Sequence, residues 1–248
     1  MSRRNRIVEH PSSNHGPRRG GGRVDMLVLH YTGMKTLDAA LRRLCDPRAA
    51  VSAHYVVARD GRVFRLMPEV RRAWHAGVSF WAGERDVNSR SIGIELENPG
   101  HEFGYRAFPE RQIAALIRLA RGILRRHPIP RHRVLGHSDV APTRKIDPGE
   151  KFPWRRLARA GIGFWPTAGR KRRLGPSAAN ARPDIASVQR ALAAFGYEIA
   201  VTGKADRRTR RVVAAFQRRF RPRRVDGRID AETAASATAL TWARHAPT

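Results

Sequence analysis

Residues 91–98, SIGIELEN, alternate with a period of two. In an extended chain Ile92, Ile94 and Leu96 share one face, and Ser91, Gly93, Glu95 and Glu97 the other. This is a strand with an apolar side and a polar, carboxylate-bearing side. Its neighbours decide what kind of sheet it joins. Upstream, Met26–Leu29 is a short apolar run read as a buried strand, with His30 at its end. Between the two, HYVVARDGRVFRLM (54–67) reads as a hairpin turning at Asp60-Gly61. Downstream, FPERQIAALIRLARGILRRH (108–127) has helical spacing. Ile113, Leu116, Ile117, Ala120 and Leu124 form its stripe, and Pro109 suits its first turn. RVLGH (133–137) follows as a short strand that delivers His137. Strands and helices interleave, so residues 24–166 are expected to form an α/β domain: a mixed central β-sheet flanked by helices.

On either side the composition changes. Residues 1–23 are polar and rich in Gly and Arg, and are expected to be a flexible segment. TAGRKRRLGPSAANARP (167–183) has the composition of a linker. Residues 184–240 read as a small three-helix domain, with one stripe at Ile185, Val188, Leu192 and Phe195 and a second at Val212, Val213, Phe216 and Phe220. VTGKADRRT (201–209) and VDGRIDAET (225–233) repeat V-x-G-[KR]-x-D-x-x-T. In each copy the Gly permits a tight turn, and the Asp can cap the following helix with the Thr at N3. The two apolar patterns read as self-contained, so the first domain is expected to fold without the second.

The chain has 248 residues, 41% of them hydrophobic, which is enough for a packed core. No apolar run is long enough to span a bilayer, and no secretory signal is visible. The single cysteine, Cys45, excludes an intramolecular disulfide and a multi-cysteine metal site, and reads as a small buried hydrophobe. The formal net charge of +28 favours polyanionic partners or reflects compositional bias. Nine arginines lie between Asp206 and Arg224 and allow non-specific polyanion binding, but no nucleic-acid motif is present and no specific nucleic acid is expected.

The segment GHSDVAPTRKIDPG (136–149) has neither helical nor strand periodicity, yet it holds a His, two Asp and a Lys. One reading is a solvated polar loop. The other is a metal site, with His30, His137 and Asp147 supplying two imidazoles and a carboxylate. Glu95 would then be a general base, and Lys145, two residues before Asp147, would face a developing oxyanion. With ten histidines in the chain, spacing leaves the choice open.

The order of several motifs carries more information. VLHYTG (28–33), VSAHYVVARDGRVFRLMPE (51–69), RRAWHAGVS (71–79), NSRSIGIELEN (88–98) and GHSDVAPTRKIDPG together resemble zinc N-acetylmuramoyl-L-alanine amidases of the AmpD/AmiD type, over Val24 to Pro166. The resemblance implies a Zn2+ cofactor held by His30, His137 and Asp147. It implies catalytic roles for Glu95 and Lys145, and a substrate groove lined by Trp74 and His75. The substrate implied is peptidoglycan or a muropeptide, cut between N-acetylmuramic acid, or its anhydro form, and L-alanine. A non-catalytic peptidoglycan-recognition protein is the alternative, disfavoured because all five metal and catalytic positions are filled. VQRALAAFGY (188–197), RVVAAFQRRF (211–220) and VDGRIDAET resemble a peptidoglycan-binding domain of the three-helix type.

Several positions stay open. Tyr31 either shapes the pocket as a substrate contact or packs. Trp74 and Trp81 either stack on sugar rings or cover the core edge. His54 reads as structural. Glu97 reads as solvated or as supporting the site from behind Glu95. Asp139 either supports His137 or lies exposed in its loop. A monomer is expected. The wall-binding tail favours the cell envelope or periplasm, and the missing signal favours the cytoplasm.

Overall fold

The computed structural model describes residues 7–166 and 183–240. Its centre is a six-stranded mixed sheet ordered β1-β5-β4-β7-β3-β8. The strands are β1 Ile7–Glu9, β3 Met26–Tyr31, β4 Tyr55–Val57, β5 Val63–Arg65, β7 Ser91–Leu96 and β8 Val134–Gly136. β3 lies parallel to both β7 and β8, and β4 parallel to β7; β4 and β5 form the antiparallel hairpin read at Asp60-Gly61. A two-stranded sheet pairs β2 (His15–Pro17) with β6 (Arg71–Ala73).

Strand alternation sorts the sheet's two faces. Leu27, Leu29, Tyr55, Val57, Ile92, Ile94, Leu96 and Val134 point to one core, covered by α3 (Glu110–Arg126) through Ile113, Leu116, Leu119, Ala120 and Ile123. Ile117 and Leu124, expected in that stripe, are partly buried at its edge, and Pro109 is the N-cap rather than part of the first turn. On the opposite face α1 (Leu37–Cys45) packs Leu41 and Leu44 over Val56, Phe64 and Leu66, with Cys45 partly buried beside them. The far end of that face carries Met26, Val28 and Leu135.

The C-terminal helices cover that end. After the short helices α2 (Val87–Arg90), α4 (His137–Val140) and α5 (Trp154–Arg159), they are α6 (Ile185–Phe195), α7 (Arg207–Phe220) and α8 (Ala231–Thr238). Val188, Leu192, Phe195, Val212, Phe216 and Phe220 join Met26, Val28, Trp81, Leu135 and Val140 in one apolar cluster. The two apolar patterns are therefore not self-contained, because a sheet face left bare by α1 and α3 needs a cover and the tail supplies it. Trp81 is fully buried between Phe195 and Tyr197, with ring centroids 5.5 and 5.0 Å away. Of its two sequence readings, the core one holds. Gly196 (φ 136°) permits this approach, since a Cβ there would lie 2.6 Å from the Trp81 ring.

The turn-and-cap repeat forms as read. Asp206 accepts from the Thr209 N–H at 2.7 Å and Asp230 from the Thr233 N–H at 2.9 Å. A buried glutamine completes each copy and went unread in the sequence. Gln189 Oε1 accepts from the N–H groups of Thr202 and Gly203, and Gln217 Oε1 from those of Asp226 and Gly227. Each glutamine's amide nitrogen donates to the hydroxyl of the N3 threonine, Thr209 or Thr233.

The N-terminal expectation needs correction. Residues 7–23 are not a flexible leader, because β1 adds to β5 and β2 pairs with β6. Arg18 then anchors the segment by donating to the carbonyls of Glu69, Asn88, Ser89 and Ser91 at 2.7–3.2 Å. Residues 1–6, and residues 167–182 of the expected linker, lie outside the described residues. Among the described residues no helix is long and apolar enough to cross a membrane.

Candidate metal centre

His30 and Glu95 are partners in the β3–β7 register, so the parallel pairing sets them side by side on the polar face. β8 ends at Gly136, opposite Leu29, and the chain turns there into α4 (His137–Val140), a short helix the sequence reading missed. His137 thus arrives next to His30. The chain then loops back so that Asp147 closes the set, helped by the Ser138 N–H donating to the Asp147 carbonyl at 2.9 Å.

Three atoms converge. His30 Nδ1 lies 2.9 Å from His137 Nδ1 and 3.2 Å from Asp147 Oδ2, and His137 Nδ1 lies 3.1 Å from the same oxygen. All three residues are buried, and one ligand atom from each can meet at a single ion. The far nitrogens settle the tautomers. His137 Nε2 faces the Ala76 carbonyl at 3.1 Å, which only an N–H satisfies. His30 Nε2 faces His75 Nδ1 at 3.1 Å, and His75 Nε2 faces the Ser91 hydroxyl at 3.1 Å, which itself donates to the Val87 carbonyl at 2.5 Å. The protons in this chain all run one way: His30 donates to His75, His75 to Ser91, Ser91 to the backbone. Both Nδ1 atoms then carry lone pairs aimed at each other and at a carboxylate oxygen. That donor set is repulsive alone and suits a divalent cation with nitrogen and oxygen ligands.

The electrostatics agree. Burial, with His137 beside it, pushes the His30 pKa down to about 4, so its imidazole is neutral near pH 7. Burial alone would raise the Asp147 carboxyl, but His137 and His30 beside it hold it well below the usual range. Glu95 moves the other way. Burial, and then the Asp147 charge, push it well above the usual carboxylate range, and its Oε2 is buried with no hydrogen-bond partner among the described residues. Glu97, two residues on, accepts from the Arg59 N–H at 2.8 Å and serves a turn.

A cleft of about 740 Å³ opens over the cluster, lined by Tyr31, Trp74, His75, Glu95, Lys145 and Asp147 among others. Every residue proposed from the sequence thus reaches one place, though not all face it alike. His75 is 8% exposed, and its main contacts are His30 and Ser91. Gly93 makes room for it, since a Cβ there would lie 2.5 Å from its ring. The His75 side chain thus fixes the orientation of His30 from the cleft wall. Tyr31 lines the cleft with its hydroxyl 3.0 Å from His101 Nδ1. The cleft also takes in Lys35, Arg43 and Phe103, which lie in no motif and become its neighbours only through the fold, and Arg144, the residue before Lys145 in the 136–149 segment.

Asp139 answers neither sequence expectation. It is 1% exposed, it accepts from the Gly136 N–H at 2.8 Å, and it pairs with Arg219 at 2.9 Å and with the Tyr197 hydroxyl at 2.5 Å. Arg219, 2% exposed, also lies 4.3 Å over the Trp154 ring. The C-terminal helices thereby grip the segment that carries His137.

Comparison with known proteins gives consistent matches. The family model for N-acetylmuramoyl-L-alanine amidase matches residues 20–150, and that for a peptidoglycan binding domain matches residues 181–236. The chain is 42% identical over 231 residues to N-acetylmuramoyl-L-alanine amidase AmiD of Escherichia coli (strain K12), covering 88% of this chain and 82% of that one. A structure of AmiD from E. coli in complex with the substrate anhydro-N-acetylmuramic acid-L-Ala-D-gamma-Glu-L-Lys superposes with a TM-score of 0.76 at 41% identity, over 88% of each chain. AmpDh3 from Pseudomonas aeruginosa superposes with a TM-score of 0.81 at 38% identity, over 90% of this chain and 93% of that one.

Proposed function

The chain belongs to the N-acetylmuramoyl-L-alanine amidase family, and from that premise we propose that it hydrolyses the amide between N-acetylmuramic acid, or its anhydro form, and L-alanine at a zinc centre held by His30, His137 and Asp147. The observation that carries the zinc reading is the convergence of two Nδ1 lone pairs and a carboxylate oxygen within 2.9–3.2 Å, with both imidazoles' other nitrogens already committed. When bound, the ion polarises the scissile carbonyl and makes a neighbouring water more acidic. Glu95 accepts the proton of the attacking water and returns it to the departing alanine nitrogen. Its orphaned Oε2 and raised pKa suit a group that must take a proton and then give it up. Lys145 lines the cleft beside Glu95 and Asp147 and donates to the oxyanion as attack proceeds. Trp74 and Tyr31 form the cleft walls against which the substrate lies.

The substrate is a muropeptide or wall fragment, and the family match over residues 181–236 supports retention on the wall by the C-terminal helices. Work in the cell envelope follows from that retention.

One experiment tests the centre. His30→Ala is expected to lose bound zinc and activity together, while Glu95→Gln keeps zinc and loses most turnover on anhydro-N-acetylmuramyl-L-alanyl peptide. Full zinc occupancy in His30→Ala would remove that histidine from the ligand set. Near-normal turnover in Glu95→Gln would remove the carboxylate from proton transfer.

A further inference from the structure

Beside the catalytic cleft lies a second pocket, of about 120 Å³, that the amidase reading leaves unused. Its walls come from the two halves of the chain. The loop 142–146 supplies Arg144, Lys145 and Ile146, all three of which also line the main cleft. Helix α7 supplies Arg211, Ala214 and Arg218. The ionisable groups around it are four cations, Arg144, Lys145, Arg211 and Arg218, with no carboxylate among the lining residues. Two are tethered: Arg144 donates to the carbonyls of Ala76 and Val78, and Arg211 to that of Thr143 at 2.7 Å. Two have nothing to hold. Among the described residues, neither the Lys145 ammonium nor the Arg218 guanidinium makes a hydrogen bond or lies within 4.0 Å of a carboxylate.

Arg218 is half-buried. Burial pushes its pKa down, and the carboxylate that most offsets this is Glu150, which is itself paired with His101 at 3.1 Å. Gathering four positive charges around so small a space costs energy that a bound anion would return. The volume suits a single carboxylate with a little water. The position suits the substrate, since the loop shared with the cleft carries Lys145.

We propose that this pocket takes a free carboxylate of the substrate's stem peptide, beyond the L-alanine whose amide is cut. The proposal rests on the amidase reading and extends it to the peptide. A D-glutamate linked through its γ-carboxyl keeps its α-carboxylate free, one residue past the scissile bond, and each further residue adds about 3.3–3.6 Å of reach. The arginines of α7 thus make the C-terminal helices part of the substrate site as well as a wall anchor. Arg211 and Arg218 become specificity residues that distinguish acidic from amidated peptides, through charge-assisted hydrogen bonds that an amide cannot return.

The test uses the full-length zinc enzyme and two substrates: anhydro-N-acetylmuramyl-L-Ala-D-γ-Glu-L-Lys, and the same compound with its free peptide carboxylates amidated. The native enzyme is expected to show a KM on the order of tenfold higher for the amidated peptide, with kcat within about twofold, the size expected for losing a hydrogen bond to a charged group. Arg211→Ala and Arg218→Ala should raise KM for the acidic peptide to a similar degree and leave the amidated peptide unaffected. Arg218→Lys should keep most of the preference. Arg211 is exposed, so its variant reports on the pocket even if Arg218→Ala fails to fold. Equal KM for both peptides in the native enzyme overturns the proposal. So does unchanged KM in the Arg211→Ala enzyme, or competition by inorganic phosphate that disappears in that variant while amidation has no effect. In each of those cases cleavage itself persists and the amidase reading stands; failure of the native enzyme to cut either peptide would sink that reading instead.

Discussion

His54 shows how a single side chain can be fixed by the hydrogen bonds around it. Its Nδ1 accepts from the Gly93 N–H at 3.0 Å, so its proton sits on Nε2 and is donated to the Arg71 carbonyl at 3.0 Å. A second proton would set two donors against each other, with the Arg18 guanidinium 3.0 Å from Nε2. Burial, and then Arg18, accordingly push its pKa down to about 3. The folded state therefore binds fewer protons than the unfolded chain once pH falls below about 6.5, so His54 removes stability as pH drops from about 6.5 toward 3. The slope for one proton is about 1.4 kcal/mol per pH unit. Urea unfolding between pH 7 and pH 4 is expected to show this fall, with a shallower slope in His54→Gln. Identical slopes in the two proteins would place the acid sensitivity elsewhere. The same logic separates Glu95 from Glu97. Two residues apart, one has an orphaned oxygen beside His30 and the other, just past the end of β7, accepts a backbone N–H.

Among the secondary-structure elements, α4 and α7 are the pair to watch. α4 is too short to hold itself in place, and Asp139 in its first turn accepts from the Gly136 N–H just ahead of His137. Asp139 in turn is held by Arg219 of α7 and by Tyr197. With both ion-pair members 2% exposed or less, removing one leaves a buried, uncompensated charge, which costs about 3–5 kcal/mol. Arg219→Met is expected to lose stability of that order and also to bind zinc more weakly, because the segment that delivers His137 loosens. Calorimetric zinc titration alongside denaturation measures both. Native-like zinc affinity in a destabilised Arg219→Met protein would make the ion pair purely structural.

Over the whole molecule, the C-terminal helices complete a layer. Met26, Val28, Trp81, Leu135 and Val140 are buried against α6 and α7. Each such side chain returned to water costs about 1.5–3 kcal/mol, and domain stabilities are only about 5–15 kcal/mol. A chain ending at residue 166 is therefore expected to melt far below the full-length protein and to bind hydrophobic dyes, where separability of the two halves predicts a stable, active fragment. Thermal melting and dye binding of that fragment decide the matter; a cooperative melt within a few degrees of the full chain would argue for independence.

What could be read along the chain was whatever is local. The period-two alternation of SIGIELEN, the helical stripe at Ile113, Leu116 and Ala120, the Asp60-Gly61 turn and the Asp206 and Asp230 caps depend on a few consecutive residues, and all of them formed as read. The meeting of His30, His137 and Asp147 was legible because all three lie in motifs whose order resembles one family. Whatever depends on contacts distant in sequence was not legible. The tail's stripes announce buried faces without saying against what, and the answer lies across the sheet at Met26 and Trp81. Asp139 has the same sequence signature whether exposed or paired, and its partner Arg219 is 80 residues away. The edge strand at Ile7–Glu9 borrows its hydrogen bonds from β5, so a polar, Gly- and Arg-rich stretch with little periodicity of its own is ordered by its neighbour. Local propensity specifies an element. Pairing and burial specify its partner, and those energies are settled only once the chain has closed on itself.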